Sequence, residues 1–150
     1  MSDWSKKAAE KFHTNKENKI IRDKKILHDA EICKQQSKDL WDQLTAKFAQ
    51  ECTSLNSEPG MTNTFSFVRN NGSRGFVLSR DGTPHKLTGE FDPTNSRFNF
   101  VSSTWKPARF KIEVRVPEGY SGAVMLAENG ASVDFDSFVT DHLDSLLEIA

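Results

Sequence analysis

The sequence predicts an α+β two-layer sandwich. One face of an antiparallel six-stranded meander sheet is covered by a long N-terminal helix and a C-terminal helix. Three observations predict it. Apolar residues recur at helical spacing through residues 1–56 and again through 134–150. Between them, residues 61–128 alternate apolar and polar in short runs separated by turn residues. A sheet with one apolar face needs a cover, and two amphipathic helices are at hand to supply it.

In the first helical region, Trp4, Ala8 and Phe12 stand at i, i+4 and i+8 over Asp3–His13, with Ser2 placed to cap. The stretch from His13 to Asn18 is poor in helix formers. Thr14 and Glu17 have capping-box spacing there, which leaves open either a second helix starting at that point or one helix running through. From Ile26 to Leu55 the period strengthens. Ile26, Leu27, Ala30, Cys33, Ser37, Leu40, Trp41, Leu44, Phe48, Cys52 and Leu55 share one sector at about 100° per residue. Asn56-Ser57-Glu58-Pro59-Gly60 stops the helix. The chain therefore divides into a helical arm, 1–25, and a single α+β domain, 26–150.

The strands follow in order. Phe65 and Phe67 alternate with Thr64 and Ser66, and Asn70-Asn71-Gly72-Ser73 turns the chain into Arg74–Arg80. Asp81-Gly82-Thr83-Pro84 leads to His85–Phe91, and Asp92-Pro93-Thr94-Asn95 leads to Phe98 and Phe100. The clearest strand is Phe110-Lys111-Ile112-Glu113-Val114-Arg115-Val116, and Ala123–Ala127 makes a sixth. In the last helix, capped by Asp134 or Asp136, the residues Phe135, Phe138, Val139, Leu143, Leu146 and Ile149 share a face. One contiguous core is expected, built from Phe65, Phe67, Phe76, Leu78, Phe98, Phe100, Phe110, Ile112 and Val114 with Leu44, Phe48, Phe138 and Leu146.

Composition bounds the function. The chain has 150 residues with eleven Phe and a net charge of −1, enough core material for one domain and no excess charge to coat nucleic acid or a membrane. The charge is uneven: residues 61–112 carry 8 basic and 3 acidic groups, and residues 113–150 carry 1 and 8. Cys33 and Cys52, about 28 Å apart on a continuous helix, are out of disulfide range. Free thiols and the lack of any apolar span make a cytoplasmic protein the expectation.

Several motifs invite chemistry and do not sustain it. KENKIIRDKK, residues 16–25, has five basic residues against two acidic ones. They surround the helix without forming a stripe and have no aromatic partner, so they read as a solvated wall. Arg74-Gly75-Phe76 opens like an RNA-recognition strand, but Val77 and Leu78 break the pattern. Lys111, Glu113 and Arg115, with Lys86, Thr88 and Glu90, read as a mixed-charge wet face. No phosphate loop, dinucleotide fingerprint or metal spacing is present, so no cofactor, metal ligand or catalytic residue is assigned.

Two candidate sites remain. The stripe from Ile26 to Leu55 is about 44 Å long, whereas six strands span about 25–29 Å, so the helix overhangs the sheet or bends. The leading expectation is a protein-interaction module, binding a protein partner or a second copy through Trp4, Phe12, Ile20 and Leu27, with no nucleic acid and no membrane as partner. The alternative is a small-ligand-binding protein or enzyme with a pocket between the sheet and the C-terminal helix, around His142. That residue sits among the apolar positions of its helix.

Overall fold

The computed structural model describes residues 3–117 and 124–149. A helix α1 (Asp3–Asn56) of 54 residues leads into β1 (Phe65–Asn70), β2 (Gly75–Arg80), β3 (Lys86–Asp92), β4 (Arg97–Ser102), β5 (Arg109–Arg115), β6 (Met125–Glu128) and β7 (Ala131–Ser132), and α2 (Phe135–Leu147) follows. Every strand pairs antiparallel with its sequence neighbours, giving one open meander in the order β1 to β7. Both helices pack on the same face, as a one-sided sheet requires.

Seven strands are described where six were expected. The extra one, β7, is two exposed residues paired with β6 through Ala127↔Ser132 and Glu128↔Ala131. A two-residue strand has no alternation to read. The expected start of the sixth strand, Ala123, lies outside the described residues, as does the expected cap Ser2.

α1 is continuous through residues 13–18, so of the two alternatives the sequence left open one helix runs through. Thr14 does not cap a new helix; its hydroxyl donates to the carbonyl of Glu10 at 2.9 Å, one turn back. The passage from exposed to packed also falls later than residue 26. No side chain from Asp3 to Glu31 is buried, and burial begins at Ile32 and Cys33. Ile32 lies outside the expected apolar sector, so periodicity did not mark it.

The C-terminal half of α1 is held by specific bonds. Trp41 is buried against Phe76, Phe91, Phe98 and Phe100, and its indole N–H donates to the carbonyl of Ser73 at 2.9 Å. At the helix end, Asn56 exchanges two bonds of 2.9 Å with the backbone of Phe65, fixing where the sheet begins. The expected core forms one cluster, with Phe67 only half-buried at its edge, and Cys33, Trp41, Cys52, Leu87, Phe91, Leu126, Val139 and Leu143 join it.

α2 is capped by Asp134, whose carboxylate accepts from the Ser137 N–H at 2.9 Å. It closes at Glu148 in the left-handed conformation, φ 61°, so Ile149 leaves the apolar face and stays exposed.

Candidate functional site

The structure does not bring the two sets of candidate residues together. Trp4, Phe12, Ile20 and Leu27 lie on the unpacked part of α1 and are 76%, 66%, 46% and 71% exposed. Taking about 100° per residue, Trp4, Ala8, Phe12, Ile26 and Ala30 continue the side of the helix that is buried further along by Cys33, Trp41 and Phe48. Asn15, Lys19 and Arg22 occupy that side between them. The arm thus carries two apolar patches separated by a polar middle, and Leu27 flanks the second. Ile20 lies about 20° from Leu27 around the helix, and Ile21 points elsewhere. KENKIIRDKK is this polar middle.

His142 is positioned from three directions. α2 places it one turn after Phe138, and the Ser145 hydroxyl anchors the helix to Thr104 at 2.7 Å. Arg80 donates to the carbonyl of Leu146 at 3.2 Å, and His85 bonds Glu148, which fixes the helix end to the sheet. These ties press the imidazole against Trp105, Phe110 and Phe138, with ring centroids 4.1, 4.9 and 4.5 Å away. The ring is 3% exposed. Burial pulls its pKa down to about 4, so it is neutral at pH 7. Its Nδ1 is enclosed with no hydrogen-bond partner among the described residues. No carboxylate orients the ring, and Ser145 is committed to Thr104, so no nucleophile–base pair forms at this position.

A pocket of about 150 Å³ adjoins the ring. Trp105 was not foreseen as part of it. It comes from the connection between β4 and β5, and no local pattern ties that loop to α2. The Asp134 carboxyl at the pocket edge is held below the usual range by hydrogen bonds from Ser137.

No protein-family model, curated protein or solved structure matches this chain. The arrangement of its own residues is therefore what bears on its function.

The two thiols are poor nucleophiles here. Burial drives Cys52 up to about 12, and burial together with the nearby Asp29 raises Cys33. Both are free, kept apart by the unbroken helix. Phe76, the aromatic of the motif resembling an RNA-recognition strand, lies under Trp41 and Phe48 and offers no face to a base. On the wet face, Glu113 pairs with both Lys111 and Arg115, as a mixed-charge ladder does. Register also aligns Val68, Val77, Thr88 and Val101 across four strands of that face. Sequence reading missed this row because strand pairing assembles it. No helix among the described residues is long and apolar enough to cross a membrane.

Proposed function

We propose that this protein is an interaction module that self-associates by pairing its projecting helical arms. The supporting observation is the arm itself: residues 3–31 form continuous helix with no buried side chain, yet expose Trp4, Phe12, Ile20, Ile21, Ile26 and Leu27. A single chain leaves these side chains in water, and exposed apolar clusters of this kind mark contact surfaces.

The order of patches along the arm selects an antiparallel pair. Two-fold pairing centred on Glu17 sets Trp4 beside Ala30 and Ala8 beside Ile26 of the other copy. Lys11 then faces Asp23, and Lys19 faces Asn15. A parallel pair would set Lys19 on Lys19 and Arg22 on Arg22, like charges across the seam. Antiparallel arms also carry the two sheet domains to opposite ends, out of each other's way. In this register Trp4 and Ile26 meet Ala30 and Ala8, while Phe12 and Leu27 lie against Arg22 and Lys7. Burying Trp4 and Ile26 from both copies therefore yields about 6–8 kcal/mol at about 1.5–2 kcal/mol each. That lies within the range of an association cost of about 4–15 kcal/mol, so the pairing is a weak one.

Sedimentation velocity tests the reading. The full chain sediments as a dimer at about 100 µM. Trp4→Ala with Leu27→Ala returns it to monomer without moving the urea midpoint of the sheet domain. A full-length monomer across that range sinks the proposal. So does salt-sensitive binding to nucleic acid that disappears with Lys24→Glu and Lys25→Glu.

A second reading, that the cleft beside His142 takes a small ligand, is favoured by the pocket at that ring and by the unpaired nitrogen.

A further inference from the structure

The pocket beside His142 has a definite chemical character. It opens between the first turns of α2, Glu128 at the end of β6, and Trp105. Its wall joins the rings of Trp105, Phe138 and His142 to the carboxylates of Glu128, Asp134 and Asp141, and no lysine or arginine lines it. Aromatic faces and carboxylates both attract positive charge.

His142 supplies an observation of a different kind. Its ring is 97% buried and forms no hydrogen bond with any described residue, and Nδ1 is wholly enclosed. Buried polar groups normally find partners. A neutral imidazole has one nitrogen that accepts; with Nδ1 enclosed, only Nε2 is left to meet a ligand in the pocket, and no described residue uses it. The complement is a cation that also donates N–H bonds. Among the described residues no group of three or more His, Cys, Asp or Glu is placed to hold a metal ion, which separates this wall from a metal cage. At about 30 Å³ for each water-sized group, the pocket has room for about five heavy atoms.

We propose that this pocket binds the head of a small organic ammonium or guanidinium cation. The proposal rests on the ligand-pocket reading of His142 and is independent of the arm. The head slides between Trp105 and Phe138, donates to the imidazole, and is neutralised by Asp141 and Glu128. Such a head belongs either to a free small amine or to a basic side chain presented on a peptide, and the same chemistry recognises both.

The test is an NMR titration of the full chain, following the His142 ring and the Trp105 indole. Three probes are compared at matched ionic strength: ethylammonium chloride, Nα-acetyl-lysine methylamide and sodium chloride. Both organic cations, or one of them, shift these resonances saturably while sodium does not. A cation of three heavy atoms reaches a Kd no tighter than about 1 mM. Tighter binding of the lysine derivative identifies a side-chain ligand, and preference for ethylammonium identifies a free amine. Asp141→Asn, at an exposed position that leaves the remaining spectrum in place, weakens either by about tenfold or more. The proposal is overturned if neither organic cation saturates, if sodium produces the same shifts, or if Asp141→Asn binds as well as the parent. Dimerisation measured in parallel keeps this outcome separate from that of the arm.

Discussion

Gly89 lies in the middle of β3, in register between Phe76 on β2 and Phe100 on β4. A Cβ at this position would stand 2.5 Å from Cε1 and 2.8 Å from Cζ of Phe76, and 3.0 Å from Cε1 of Phe100. Carbon atoms pack favourably at about 3.5–4.0 Å, so the Phe76 ring must retreat by about 1 Å. It has nowhere to go. Trp41, Phe48 and Phe67 surround it at centroid distances of 5.6, 5.4 and 5.2 Å, and Phe100 is backed by Phe110 and Phe138 at 5.3 Å each. Two effects of Gly89→Ala oppose one another. Restricting the unfolded chain stabilises by about 0.4–1 kcal/mol. Overpacking a rigid core costs about 1–3 kcal/mol, and the enclosed rings place this site at the upper end. The net expectation is a loss of about 2 kcal/mol, a fall in Tm of about 4–8 °C for a chain of this size. Urea denaturation supplies the measurement, repeated in a Phe76→Leu background where the ring is gone. There Gly89→Ala should cost at least about 1 kcal/mol less, a coupling expected of residues in contact. A neutral or stabilising Gly89→Ala, or strict additivity of the two changes, refutes the packing argument.

Two further outcomes are expected from groups buried in the same layer. His142 accepts its proton only below about pH 4 in the fold, against about 6.5 in the unfolded chain, so the unfolded state binds more protons between these values and stability falls as pH drops through that window. Between pH 7.5 and 5 the parent should lose about 2 kcal/mol more than His142→Gln in chemical denaturation; parallel profiles would contradict this. Cys52, pushed up to about 12, should resist iodoacetamide at pH 8 in the native state and react once unfolded, as mass analysis of quenched samples will show. Rapid native alkylation of Cys52 would mean that the C-terminal half of α1 opens.

Much of this fold was legible because its elements obey local rules. Phe110, Ile112 and Val114 alternate with charged residues and are buried accordingly, and the Asn56–Gly60 stop ends α1 where the sheet begins. Asp134 caps α2 as its side chain and position imply. The sequence left an overhang or a bend open, since a helical stripe longer than a sheet is wide leaves residues without cover, and the structure has a continuous helix unburied before Ile32.

What tertiary structure decided was everything that joins distant segments. The weak helix formers at residues 13–18 and the Thr14–Glu17 spacing fit either a break or a through-helix, and only the finished helix shows Thr14 bonding back to Glu10. The row from Val68 to Val101 exists because four strands pair in one particular register. The need for glycine at position 89 arises because Phe76 and Phe100 meet above it. The same holds for His142. Its apolar helical neighbours were visible at once, but Phe110 of β5 and Trp105 of the β4–β5 connection reach the ring from outside its own helix, and they make an ordinary helical histidine a neutral one with Nδ1 unpartnered among the described residues. Periodicity records which way a residue faces along its own element. Which residues it meets there depends on register and on layer packing, and these are set by the free energy of the whole chain.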